Sequence, residues 1–283
     1  MSKQVPSTST IDSTRPLNQQ RRFTWGSMPT TVRRGLLLVL LIGAWQAYVS
    51  ISGVNPLLVA SPIDVGRALW EGIKGGELLT FTLTTLRILG LGMLIGITVA
   101  ALFTTLATWS KVGADLLALL TAMINPLPGI AILPLAILWF GLKPSALIFV
   151  IANAVIWPIA INVTTGFRTV NPTILMVARN LGLRGFKLVR EVLMPAALPY
   201  TITGIRTGWA FGWRTIIAAE LVFGVAGSNA GLGAFINEAR YFLQIPNVFA
   251  GLVLIAVIGI LFEYLFNQIE ARTVVRWGMK SGS

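Results

Sequence analysis

Five stretches of this chain contain no charged residue: 35–63, 88–110, 116–142, 144–167 and 241–262. Each is long enough for a helix of about 20 residues to cross the hydrocarbon core of a bilayer. A sixth apolar segment, 198–226, is interrupted by Arg206, Arg214 and Glu220. Lipid supplies no hydrogen-bond partners, so each crossing must satisfy its own backbone, and a helix does so. The expected fold class is all-α, a polytopic membrane protein with six transmembrane helices at about 35–53, 85–107, 116–140, 145–165, 198–226 and 245–267. Composition agrees: only 11% of residues are charged and the mean hydropathy is +0.77. Soluble domains carry about twice that share of charge.

A net charge of +12 would suit nucleic acid, but its distribution argues for a membrane instead. Lys3, Arg15, Arg21, Arg22, Arg33 and Arg34 precede the first span against Asp12 alone, and Arg168, Arg179, Arg184, Lys187 and Arg190 follow the fourth against Glu191 alone. Arg272, Arg276 and Lys280 lie beyond the sixth, whereas the segment after the first holds Asp64, Glu71 and Glu77 against Arg67 and Lys74. Basic loops stay on the cytoplasmic side. Both termini and the fourth connection are therefore expected inside a bacterial inner membrane, with residues 1–30 a disordered cytoplasmic tail, 31–275 the membrane domain and 276–283 a second cytoplasmic tail. No nucleic-acid partner is expected; the lipid bilayer is. Cysteine and histidine are both absent. Thiolate chemistry, disulfides and imidazole metal sites are excluded by inventory, and no metal or catalytic residue is expected.

Trp45 and Tyr48 close the first span near an interface, and 63–79 has the spacing of an amphipathic helix through Val65, Leu69, Ile73 and Leu78, placed on the outer surface. Gly92, Gly96 and Ala100 in the second span recur every four residues, a pattern that lets helix backbones approach. Asn125-Pro126-Leu127-Pro128-Gly129 and Pro134 interrupt the third. Broken backbone at membrane depth survives only inside protein or along a cavity. A simple kink, a break at the cytoplasmic start of the span, and a pathway role for Asn125 all fit. The fourth span contains Asn153, Trp157-Pro158 and Asn162.

The fifth span carries Gly204, Gly208 and Gly212, a stripe expected to pack against a neighbouring helix. Arg206, Trp209, Trp213 and Glu220 fall close to one helical face, with Arg214 on another. Arg206 lies near the helix start and can snorkel to the cytoplasmic surface. Arg214 is roughly 12 Å deeper at 1.5 Å per residue. Ionisable groups at such depth are costly unless paired or hydrated. Two roles are open for it: pairing with Glu220 of this or another subunit, or contact with an anion in a pathway. The candidate pathway set is Asn125, Arg206, Trp213, Arg214 and Glu220.

Between the fourth and fifth spans, Ala178-x3-Gly182-x9-Val192-x2-Pro195 resembles the cytoplasmic coupling motif of bacterial ABC importer permeases. Leu58-Val59-Ala60-Ser61-Pro62, Thr85-Leu86-Arg87, Pro134–Gly141, Leu198-Pro199, Gly204-Ile205-Arg206, Trp213 and Ala218-Ala219-Glu220 are similar to the nitrate/sulfonate/taurine/bicarbonate branch of that group. The likeness covers roughly 55–265, with one departure: Met176 and Val177 stand where the motif has an acidic residue and an alanine. The resemblance implies the type I importer permease fold, with Val177, Ala178, Gly182, Lys187, Val192 and Pro195 in the coupling of loop 167–197 to a motor. A Gly182 break and a Pro195 stop would frame helices at about 171–180 and 186–193. It further implies two cytoplasmic ABC ATPase subunits, a second permease copy (a homodimer, or a close homologue) and a periplasmic or lipid-anchored substrate-binding protein.

ATP and Mg would be bound by the partner ATPase and no cofactor by this chain, which lacks a Gly-Lys-Ser/Thr phosphate loop. The cargo expected from the resemblance is a small anion: nitrate or nitrite first, then sulfonates or taurine, then bicarbonate, with cyclic organic anions open. The alternative is an ion-coupled secondary carrier working without an ATPase. It would need carboxylates near the membrane centre, for which only Glu220 and Glu263 are available.

Overall fold

In the computed structural model, residues 29–223 and 230–275 are described, and every regular element among them is a helix. Residues 1–28 and 276–283 of the expected tails, and residues 224–226 of the fifth span, lie outside the described residues; Thr30, expected in the tail, starts α1. The elements are α1 (Thr30–Ser52), α2 (Pro62–Lys74), α3 (Glu77–Trp109), α4 (Lys111–Ile124), α5 (Leu133–Phe140), α6 (Pro144–Arg168), α7 (Pro172–Asn180), α8 (Gly185–Leu188), α9 (Met194–Ala196), α10 (Leu198–Phe223), α11 (Leu232–Tyr241) and α12 (Ile245–Glu270). α1, α3, α6 and α12 are each long and apolar enough to cross a membrane, and α4 with α5 forms a further candidate if the bent pair is one crossing. α10 has the length, at 26 residues, but its three charges set it apart from the other five.

The post of the bundle is α6, whose apolar stretch is the most enclosed of the candidate spans. Two helices close on it through small residues. On α3, a Cβ at Gly92 would come within 2.6 Å of Ile151, and one at Gly96 within 2.8 Å of Val155. On α10, Gly208 faces Ile159 at 2.9 Å, and Gly212 meets Val155 and Leu89 at 3.1 Å. Gly204 lies against Asn162 at 3.0 Å. Val155 is thus shared by both stripes. Without a strong hydrophobic drive between helices in lipid, such close van der Waals approach is what holds them together. Pro158 sits inside α6, where Asn162 donates to its carbonyl at 2.8 Å.

The periphery is looser. α1 buries no residue and touches the rest mainly through Trp45, whose ring lies 5.6 Å from that of Phe249 on α12. α2 is capped by Ser61, whose hydroxyl accepts the Asp64 N–H at 3.2 Å. It stops at Lys74 rather than at 79, because Gly75-Gly76 turns the chain with Gly76 at φ +78°. Leu78 consequently belongs to α3, where it is fully buried.

α4 and α5 meet at 93°, so the third span is sharply broken rather than gently kinked. Pro126 and Pro128 lie in the break, where the missing N–H groups cost no ladder bonds. The elbow lies well inside the bundle. A Cβ on Gly129 would approach the Thr215 hydroxyl of α10 at 2.7 Å and Ala154 of α6 at 3.1 Å. Both contacts are more than ten residues from the loop-side ends of those helices, roughly 20 Å at 1.5 Å per residue. That depth removes a break at the start of the span from the options.

Candidate functional site

The loop between α6 and α10 is folded throughout. Asn171 caps α7 by accepting the Thr173 N–H at 2.8 Å, and Pro172 occupies the first turn. At the other end Gly182 N–H bonds the Arg179 carbonyl and Leu183 N–H bonds that of Ala178, both at 3.0 Å. These two bonds form a Schellman cap, which needs a left-handed residue. Gly182 supplies it with φ +81°. Ala178 is buried beneath α7, whereas Ile174, Met176, Val177 and Leu181 are exposed, with Phe186 beyond the turn. Arg179, Arg184, Lys187 and Arg190 stand exposed around them. Exposed apolar side chains and four exposed cations thus share this loop.

Pro195 does not stop the second helical piece. The chain runs through α8, a π-helical turn at Val189–Leu193 and α9 with Pro195 in its first turn. The widened turn shifts the hydrogen-bond register just ahead of the proline, so its missing N–H breaks no helical ladder. The direction changes at Ala197 instead. Leu188, Val189 and Leu193 anchor this piece; Val192 is half-buried, while Lys187 and Pro195 are exposed. Gly185, which the sequence motif did not single out, has φ +58°, and a Cβ there would lie 3.0 Å from Trp109 Nε1 at the end of α3.

The pathway candidates separate into three fates. Arg206 bonds Glu263 through Nε and Nη2 and reaches Glu270 at 3.5 Å. It ties α10 to α12 instead of snorkelling to water alone. Trp213 is buried and stacks on Trp209 at 5.7 Å, which in turn stacks on Phe262 at 4.5 Å. Both residues thus make helix-packing contacts within this chain.

Glu220 has the second fate. Its carboxyl accepts the Thr85 hydroxyl at 2.9 Å and the Gly233 N–H at 2.9 Å, and Thr85 Oγ1 accepts the Leu232 N–H at 2.8 Å. This clasp joins α3, α10 and α11 at a site where Thr85 and Glu220 are buried. It leaves no room for Arg214, so the pairing of Arg214 with Glu220 within one chain is not made. Gly231 and Gly233 allow the approach: a Cβ on Gly231 would lie 2.0 Å from Glu220 Oε1, and one on Gly233 2.6 Å from Glu220 Cβ. Thr85 was visible in the sequence only as part of Thr85-Leu86-Arg87, and the two glycines not at all as partners. Glu220 is enclosed, and Glu263 is exposed but ion-paired with Arg206.

Arg214 and Asn125 share the third fate. Arg214 is exposed and makes no ion pair among the described residues. Phe211 and Leu221 on α10 are exposed as well. Asn125 is exposed in the elbow, whose Gly129 packs on Thr215, the residue after Arg214. The structure therefore places the elbow near the level of Arg214, with Asn125 and Arg214 both exposed.

Likeness to known proteins bears on what such a molecule is. Residues 92–275 match the family model described as binding-protein-dependent transport system inner membrane component. The chain is 31% identical to a Bacillus subtilis protein named as an aliphatic sulfonates transport permease, SsuC, over 91% of this chain and 90% of that one. It is 31% identical to the riboflavin transport system permease protein RibX of Chloroflexus aurantiacus, covering 91% of this chain and 92% of the relative. The taurine transport system permease protein TauC of Escherichia coli is 30% identical, with 89% and 93% covered. With its helical membrane bundle and a folded, outward-facing loop between α6 and α10, this chain belongs to the family of binding-protein-dependent transport system inner membrane components, the ABC importer permeases.

Proposed function

We propose that this chain is the non-catalytic permease of an ATP-driven importer that admits a small organic anion of the sulfonate class. The observation that carries the reading is the docking surface on α7: exposed Ile174, Met176, Val177 and Leu181 surrounded by cations and held by a cap at Gly182. An apolar patch with a basic rim fits a cytoplasmic ATPase, which binds the ATP and Mg that this chain has no loop to hold. Two ATPases, a second permease copy and an external binding protein complete the assembly, with both termini and the α6–α10 connection cytoplasmic. α10 serves as the remaining crossing of six.

The path runs along the open face of α10 beside the elbow, where Arg214 offers a cation that makes no ion pair among the described residues. A second copy facing this one would close the path on its other side. Nitrate, the first expectation from sequence, gives way to a sulfonate because two of the relatives are named for sulfonates. The charge chemistry at Arg214 is the same for either. The test is uptake in cells lacking their own copy of this chain, with labelled taurine, an alkanesulfonate and nitrate offered in turn. Sulfonate uptake that needs this chain and an ATPase is expected. Nitrate uptake alone would reverse the order, and uptake persisting without any ATPase would defeat the importer reading.

A further inference from the structure

A cavity of about 650 Å³ opens between the ends of α3, α4 and α6 and the loop helix α7. No residue of α10 lines it, so it is separate from the proposed path. Its volume lies within the usual range for small-molecule sites, roughly 300–1,000 Å³. The wall is mostly apolar, with Leu117, Ala118, Ile161, Phe167, Leu188 and Leu193. Two arginines from different elements stand along it: Arg168, the last residue of α6, and Arg179, in the last turn of α7. Both are exposed and neither forms an ion pair among the described residues.

Depth and polarity narrow the occupant. Along α4 the lining runs from Ala114 to Ala122, roughly 12 Å at 1.5 Å per residue. That is less than half of the ~30 Å hydrocarbon thickness, or about one leaflet. At the arginine end α3 closes on Trp109, which is exposed, as amphipathic rings are at a bilayer surface. Two unpaired cations at headgroup level and an apolar wall one leaflet deep share one complement.

We propose that this cavity binds an anionic phospholipid of the cytoplasmic leaflet, its phosphate between Arg168 and Arg179 and an acyl chain along the apolar wall. The leaflet assignment rests on the cytoplasmic placement of the α6–α10 loop proposed above. Because α7 forms part of the wall through Pro172, Leu175 and Arg179, the lipid touches the same helix that presents the docking surface.

The experiment uses the full chain in nanodiscs holding equal phosphatidylglycerol and phosphatidylcholine in both leaflets, followed by mild extraction and native mass spectrometry. Retention of phosphatidylglycerol over phosphatidylcholine is expected. Arg168→Gln and Arg179→Gln should each lower that preference roughly fivefold, the factor equivalent to the ~1 kcal/mol a basic side chain contributes near an anionic surface. Arg179→Lys should keep it, and Ala118→Phe should lower retention with both arginines present. Removing equal charge by Arg34→Gln at the start of α1 should change nothing. An equal loss in that control would mean general charge attraction and would overturn the site. So would octanesulfonate occupying the wild-type cavity while phosphatidylglycerol is not retained. Ala118→Phe breaking a dimer without altering retention would assign the cavity to a second copy, again overturning it. The chain has no cysteine, so Lys187→Cys labels one loop cleanly. Labelling from outside the cell would overturn the leaflet and the docking reading together, whereas inside labelling with no phosphatidylglycerol preference would overturn the lipid site alone.

Discussion

Glycine is demanded in two regions of this molecule for opposite reasons. At Gly182 the backbone is constrained, with φ +81°, and a Cβ would meet nothing within 4 Å. At Gly231 the backbone is extended and ordinary, with φ −105°, but the space is already filled by Glu220 and Thr85. The α6–α10 loop spends its glycine on shaping a surface that it leaves empty. The Glu220 clasp spends its glycine on bringing three helices into contact. A change in the first should damage what the chain does with another protein, and a change in the second should damage the chain itself.

The sharpest test of that contrast is Gly231→Ala. One methyl group placed 2.0 Å from a carboxyl oxygen must open the clasp. The cost sits at the upper end of overpacking, about 3 kcal/mol, and hydrogen bonds lost from buried partners add ~1–3 kcal/mol each. Thermal unfolding of the detergent-solubilised chain should show a large drop and a poor yield. A melting temperature equal to that of the wild type would dissolve the distinction between the two regions.

Gly208→Leu should come next. Its side chain would enter the α10–α6 contact against Ile159 and Val155, both already within 3.3 Å of an ideal Cβ. Ile159 presents the ends of a flexible side chain there, so part of the strain can relax, and about 1–3 kcal/mol is expected. Complex yield is the readout. Full yield with full transport would put α10 against lipid and remove it from the path.

Gly182→Leu is the opposite kind of change. A left-handed non-glycine residue costs about 1–2 kcal/mol, with no clash to add. The chain should assemble with near-normal yield while uptake and ATPase co-purification fail, because the cap that presents Val177 and Leu181 is distorted. Normal uptake would show that this turn does not seat the motor.

These contrasts were unevenly legible in the sequence. Uncharged windows announce helices because lipid excludes every alternative, and the four-residue glycine spacing announces a packing face because helical period converts spacing into direction. The elbow at 125–129 was legible as a break, since two prolines inside an apolar window have few other uses; its depth was not, because that comes from Gly129 meeting Thr215 and Ala154. Pro195 misled, as a proline in a helical run reads as an end unless a π-helical turn precedes it. The charged residues of α10 were the hardest. A helical wheel separates Arg214 from Arg206 and Glu220 but names no partners, and those lie elsewhere in the chain: Glu263 is 57 residues from Arg206, and Thr85 is 135 residues from Glu220. No local pattern contains a pair at that separation. Thr85 in particular resembles the many threonines that bond their own helix, such as Thr82 to the Leu78 carbonyl at 2.7 Å.

Arg214 is where the smallest effect on stability should accompany a clear effect on function. Its side chain is exposed and makes no ion pair among the described residues, and Glu220 is satisfied without it. Arg214→Gln should therefore shift stability by no more than about 0.5 kcal/mol, as exposed substitutions do. Glu220→Gln should be destabilising, because an amide presents a donor where the Thr85 hydroxyl or the Gly233 N–H also donates. Residues without a shared partner add within about 0.5 kcal/mol. The double variant should thus be no better than Glu220→Gln alone in yield or melting temperature. In transport the order reverses: Arg214→Gln should lower sulfonate uptake by roughly tenfold, which needs only ~1.4 kcal/mol of lost attraction for the anion. Recovery of yield in the double variant would mean that Arg214 meets Glu220 across two copies of the chain, and the open face of α10 would then be an interface rather than a path.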